Sequence, residues 1–158
     1  MSLPSAPSRP LRTVVWSTGG VGSIAVHAVR RRPDLELVGV WVHSEDKIGK
    51  DAGELAGGDP IGVYATNDGD ALITLRPDCV VYAASGPERD AAAVPDYVKL
   101  LSAGINVVST SSTGLVHPRS YSAAEWRDQL EAAAPPCLAF DDAVEKHPLG
   151  HGQRGGAQ

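Results

Sequence analysis

With 158 residues, 42% of them hydrophobic, the chain is sized for one globular domain that buries about two thirds of its unfolded surface. A net charge of −5 argues against a general nucleic-acid binder, and no apolar run approaches the roughly 18 residues of a membrane span. The two cysteines, Cys79 and Cys137, offer neither a disulfide framework nor metal spacing, and read as reduced, inert thiols of a cytoplasmic protein.

The Ser/Pro-rich stretch from Met1 to Pro10 lacks the basic and apolar regions of a secretion signal and is expected to be a disordered lead-in. Thr13-Val14-Val15-Trp16 reads as a strand that runs into Ser17-Thr18-Gly19-Gly20-Val21-Gly22. Apolar Val21, Ile24, Ala25, Ala28 and Val29 follow at the spacing of one buried helix face. A glycine turn between strand and helix lets backbone N–H groups approach a diphosphate at the positive end of the helix. The full dinucleotide pattern is G-x-G-x-x-G; here Ser17 holds the first glycine position, and Gly19 and Gly22 hold the others. Serine is small enough to turn but resists positive φ. The plain alternative is a strand-to-helix turn that binds nothing; dinucleotide binding is preferred because strand, turn and helix fall where the motif needs them.

Arg30-Arg31-Arg32 before Pro33 reads as a cationic last helical turn that complements the helix dipole, in preference to a phosphate patch. Leu35 to Val42 has the continuous apolar character of a buried parallel strand. His43 to Gly58 is polar and Gly-rich, with a short helical turn near Ala52–Leu55. Ile61 to Tyr64 is read as a weak third strand, Asp70 to Leu75 as a brief helix, and Cys79 to Ala84 as the fourth strand. A helix is expected from Pro95 to Ala103, with Pro95 in its first turn and Gly104 capping its end. Ile105 to Ser109 is the fifth strand, and Ser122 to Glu125 is a capping box for a helix reaching Ala134. This alternation implies an α/β fold, a Rossmann-like doubly wound parallel sheet over residues 11–135, in the order 3-2-1-4-5. Its ligand crevice should open between the first and fourth strands.

After Pro136 the periodic pattern ends, and residues 136–158 read as an aberrant or disordered tail. His147 and His151 are four apart, but Pro148 and Gly150 make the helix such a metal pair needs improbable; no metal site is expected.

The end of the second strand should report nucleotide choice. No carboxylate stands at its tip, where His43 and Ser44 follow Val42. Ser44 and Lys47 would serve a phosphate and Glu45 a ribose, so the reading is NADP or NAD, leaning toward NADP. Ala84 and Ser85 leave the fourth strand across the crevice, where small residues would let a nicotinamide ribose lie against the backbone. Ser109 and Thr110, leaving the fifth strand, read equally as a cofactor-edge loop or a hydroxyl-capped turn. The cofactor-binding set is therefore Ser17, Thr18, Gly19, Gly20, Val21, Gly22, His43, Ser44, Lys47, Ala84, Ser85, Ser109 and Thr110. No nucleophile elbow, H-E-x-x-H or supported Cys/His pair appears, and His27 reads as a surface residue off the apolar stripe.

Between Arg12 and Ala134 the chain resembles the N-terminal domain of the dihydrodipicolinate reductase family, nearest its actinobacterial reductase-like and amine-dehydrogenase branch, which includes 2,4-diaminopentanoate dehydrogenase. The resemblance rests on Val14 to Gly22, Gly49 to Gly57, Asp78 to Tyr82 and Gly104 to Thr110. It implies an NAD(P)-dependent oxidoreductase acting on a C=N or amine centre. Gly19 and Gly22 match the family's phosphate-loop glycines, and Ser109 and Thr110 lie near its nicotinamide-side loop. Gly20 stands where true dihydrodipicolinate reductases usually carry arginine, which counts against lysine-pathway activity. Family members continue into a substrate-binding domain that mediates oligomerisation, so a homo-oligomer is implied for a full-length member. The paired histidines and lysine of the family's catalytic motif have no counterpart here, and with the loss of pattern after Pro136 the chain is expected to be a truncated or frame-shifted product with little turnover. A nucleotide-sensing module without chemistry, or a non-functional remnant, are the competing readings.

Overall fold

The computed structural model describes residues 8–84, 90–111 and 132–133. The strands are β1 (Leu11–Trp16), β2 (Leu35–Trp41), β3 (Ala65–Thr66), β4 (Cys79–Tyr82) and β5 (Asn106–Ser109). They form one parallel sheet in the order β3-β2-β1-β4-β5, as the alternation of apolar strands and helical segments implied. Helices α1 (Gly20–Arg30), α2 (Ala52–Leu55), α3 (Gly69–Thr74) and α4 (Asp90–Ser102) provide the connections, with a 3-10 turn at Glu45–Lys47. None of the helices among the described residues is long and apolar enough to cross a membrane.

β1 lies at the centre because both its faces are buried. Val15 and Val40 pack with Val26 and Val29 of α1 on one side. Val14, Trp16, Val80 and Tyr82 pack with Leu72 of α3 and with Tyr97 and Leu100 of α4 on the other. Trp16 is in register with Trp41 on β2 and Tyr82 on β4, and its ring stacks on theirs at centroid distances of 5.0 and 5.8 Å. The ladder continues one residue past each strand: Ser17 N–H donates to Trp41 O at 2.9 Å, Ala83 N–H to Trp16 O at 2.9 Å, and Val42 N–H to Thr66 O at 2.9 Å. The exits of β1, β2 and β4 are thereby locked side by side at the carboxyl edge. That edge is where a doubly wound sheet binds ligands.

Four expectations need correcting. The buried face of α1 is Gly22, Val26 and Val29, whereas Val21 and Ile24 are 47% and 69% exposed. The helix is rotated by one residue, about 100°, from the face its apolar spacing suggested. The cause is backbone contact with the Ser17 carbonyl, which forces Gly22 inward. His27 is not a free surface residue: its Nε2 lies 2.9 Å from Ala56 O and braces α1 against the end of α2. The third strand is Ala65–Thr66 and not Ile61–Tyr64, because the earlier backbone groups are spent locally. The Ile61 and Gly62 N–H groups donate to Asp51, and Ala52 N–H donates to Val63 O at 2.8 Å. Finally, α4 begins at Asp90 and contains Pro95 in its interior, not in its first turn. The missing N–H forgoes one helical hydrogen bond, a cost offset by burial of Val94, Tyr97, Leu100 and Leu101.

The C-terminus of α4 is as expected. Gly104, at φ +76°, lets Ile105 N–H reach Leu100 O at 3.0 Å and its own N–H reach Leu101 O at 2.9 Å. Arg9, within the segment expected as a lead-in, forks onto both carboxylate oxygens of Asp78 at 2.7 and 2.8 Å. The expected helix from Ser122 and the tail beyond Pro135 lie outside the described residues, apart from 132–133.

Candidate functional site

The turn from β1 into α1 is held from both sides. Ser17 N–H is fixed by Trp41 O, while its carbonyl packs directly under α1. A Cβ on Gly22 would lie 1.9 Å from Ser17 O, so only glycine permits this approach. Ser17 itself adopts φ +96°, the conformation serine resists and glycine accepts. We expect Ser17→Gly to raise stability by about 1 kcal/mol by relieving this conformation. Thermal denaturation checks it; a lower midpoint would show that the serine side chain contributes more than its backbone costs.

Gly19 caps α1 with extended backbone, no side chain bonds to the first helical N–H groups, and the first turn carries no acidic residue. Space above Gly20 is open, with no atom within 4 Å of where a Cβ would stand. The free N–H groups and the positive end of the dipole are thus left without an internal anion among the described residues. Beside them lies a cleft of about 220 Å³ lined by Ser17, Thr18, Gly19, His43, Ser44, Lys47 and Ala84.

The far wall of that cleft is the segment after β2. His43 tilts against the Trp41 ring at a centroid distance of 6.1 Å. Ser44 then starts the 3-10 turn, with Lys47 N–H donating to Ser44 O at 3.0 Å, and this folds Lys47 back toward the glycine turn. The Lys47 ammonium lies 3.3 Å from Thr18 Oγ1 and 3.5 Å from Thr18 O.

Behind this segment stands a buried carboxylate. Asp51 accepts N–H bonds from Gly53 at 2.7 Å, Ile61 at 3.0 Å and Gly62 at 2.7 Å, and is 5% exposed. Burial would push its pKa up, but the N–H groups of Ile61, Gly53 and Gly62 outweigh that and hold the carboxyl below its ordinary value. Gly53 is required beside it, since a Cβ there would come within 2.1 Å of Asp59 O. Gly49 N–H to Ala65 O and Ala65 N–H to Lys50 O, at 2.8 and 2.9 Å, then tie the segment carrying Lys47 to β3.

The cleft therefore gathers Ser17, Thr18, Gly19, His43, Ser44, Lys47 and Ala84 from the expected set. Gly20, Val21 and Gly22 form the first turn of α1 beside it; Gly22 acts as a packing contact, and the Val21 side chain is exposed. Ser109 ends β5 and Thr110 follows it, but neither lines the cleft. Ser109 Oγ is 2.7 Å from Tyr97 Oη and accepts Ser111 N–H at 3.1 Å. Ser85 lies outside the described residues, as do His147 and His151. Among the described residues no cluster of three or more His, Cys, Asp or Glu side chains is placed to hold a metal. Sequence reasoning did not find Asp51 or the Lys47–Thr18 contact; the only local signal was the Asp-x-Gly spacing of a capped helical turn at Asp51-Ala52-Gly53.

Residues 13–130 match the family described as dihydrodipicolinate reductase, N-terminus. The chain is 44% identical over 124 residues to an amine dehydrogenase from Streptomyces virginiae, covering 78% of this chain and 34% of that one. It is 28% identical over 144 residues to 4-hydroxy-tetrahydrodipicolinate reductase from Synechococcus elongatus, covering 84% of this chain and 48% of the relative. Amine dehydrogenase from Mycobacterium smegmatis has a similar structure, with a TM-score of 0.70 at 25% identity, over 82% of this chain and 37% of that one. GenD2 of gentamicin A biosynthesis, solved in complex with NAD, shares the fold, with a TM-score of 0.56 at 18% identity over 84% of this chain and 35% of its own. The chain thus spans between 34% and 48% of the length of these curated relatives.

Proposed function

The chain belongs to the family of dihydrodipicolinate reductase N-terminal domains, and on that premise we propose that it binds a nicotinamide dinucleotide as the cofactor half of an oxidoreductase acting on a C=N or amine centre. The observation that carries this reading is the Ser17–Gly22 turn. Its helix N-terminus has no capping side chain and no acid in its first turn, and a glycine wedge holds it at the carboxyl edge of the sheet. A side chain at Gly22 would clash with the Ser17 carbonyl, while the space at Gly20 is open, which supports access of a ligand to this turn.

In this assignment the N–H groups of Gly19, Gly20 and Val21 hold the diphosphate, and Ala84 gives the small wall opposite. His43 and Ser44 flank the adenosine ribose. Among the described residues no carboxylate lines the cleft to bind a free 2′-hydroxyl, which supports NADP over NAD. The bound cofactor would supply the hydride; the protein's own residues bind and orient it. The substrate half corresponds to the length that the relatives have beyond this match.

Calorimetric titration with NADPH and NADH tests the reading. We expect dissociation constants in the micromolar range, with NADPH the tighter ligand. Absence of heat with either at millimolar concentration would overturn it.

A further inference from the structure

We propose that Lys47 is the fixed positive charge of the diphosphate subsite, serving the part common to NAD and NADP and not the 2′-phosphate. The proposal rests on the dinucleotide reading above and adds a specific role within it. Lys47 is half-buried, and among the described residues its ammonium makes no ion pair. It rests instead on the hydroxyl and carbonyl of Thr18, at 3.3 and 3.5 Å. An ammonium held on neutral acceptors at the rim of a cleft keeps its charge available to an anion that enters. Among the described residues no carboxylate lines that cleft to compete for the ammonium.

Location decides which anion. The 3-10 turn at Glu45–Lys47 brings the Lys47 ammonium within 3.3 Å of Thr18 Oγ1, beside the glycine turn where the diphosphate is assigned. Thr18 is the second residue of the turn that leads into α1, and it lines the cleft together with Gly19 and Lys47. Gly20 supplies no charge here, so an ammonium reaching in from the other wall provides the cation that backbone dipoles alone do not. The same contact straps the segment after β2 to the glycine turn, so charge and closure act at one point.

The test is titration of the whole chain with NADPH, NADH, ADP-ribose and 5′-AMP at low and high salt, using wild type, Lys47→Met and Lys47→Arg. Lys47→Met is expected to weaken NADPH, NADH and ADP-ribose by the same factor, about tenfold, with 5′-AMP losing less than about threefold. The salt dependence of dinucleotide binding should shrink in Lys47→Met and persist in Lys47→Arg. Lys47→Arg should also retain most of the affinity and the wild-type melting midpoint. A loss confined to NADPH would overturn the proposal by assigning the charge to the 2′-phosphate, and equal affinities in wild type and Lys47→Met would overturn it outright. Failure of the wild type itself to bind any dinucleotide is a separate result that removes the cofactor reading first.

Discussion

Gly22→Ala is expected to abolish dinucleotide binding and to destabilise the fold by about 3 kcal/mol or more. The added Cβ would stand 1.9 Å from Ser17 O and 2.7 Å from Ser17 C, contacts that no side-chain rotation relieves because both atoms are backbone. Ser17 cannot yield cheaply, since its N–H is bonded to Trp41 O and its φ is already +96°. Relief must therefore come from lifting α1 off β1, which opens the layer of Val15, Val26, Val29 and Val40. Alanine's better helix propensity, worth about 1 kcal/mol, does not offset this. Thermal denaturation and cofactor titration of the variant measure both effects. Affinity within threefold of wild type would show that the turn tolerates a wider approach than its geometry indicates.

Replacing Asp51 should have the second-largest effect. In Asp51→Asn the new amide would retain one acceptor oxygen and turn an NH2 group toward N–H donors, leaving the buried N–H of Gly53 or the partly buried ones of Ile61 and Gly62 unpaired. A drop in the melting midpoint of about 5–10 °C is expected, together with weaker cofactor binding as the segment carrying Lys47 loosens from β3. The acid limb should change too. Asp51 is held low by N–H donors that outweigh its burial, and Asp78 is held low chiefly by the Arg9 fork, helped by Arg12 N–H. Because folding lowers both, the stability they add is present in full above the ordinary value of 3.8 and is lost as pH falls through their lower folded values. Stability of the wild type should therefore be insensitive to these groups above about pH 5 and decline below about pH 4, with a shallower decline in Asp51→Asn. An unchanged acid profile in the variant would show that Asp51 is not ionised in the folded protein.

Much of this arrangement was legible in the chain. Buried parallel strands announce themselves as dominantly apolar runs, with Glu36 the one charged residue in Leu35–Trp41, which is why that strand and Cys79–Tyr82 can be read where they lie. Glycine turns and caps are local, so Gly19, Gly22 and Gly104 could be placed without knowing their neighbours. The errors share a different origin. The phase of α1 is set by Gly22 meeting the Ser17 carbonyl, a backbone contact to which hydrophobic spacing is blind. β3 is displaced because a carboxylate ten residues earlier claims the N–H of Ile61. Lys47 and His27 each find partners 29 residues away, contacts that exist only once the sheet has brought β1 and β2 together.

The central claim is that the N–H groups following Ser17 hold the diphosphate. Amide resonances of the 15N-labelled chain titrated with ADP-ribose test it residue by residue. The largest shifts should fall on Gly19, Gly20, Val21 and Gly22 and saturate together at the calorimetric dissociation constant, while Gly57 and Gly62 stay still. A titration in which those four amides do not move, whatever else does, would contradict the account.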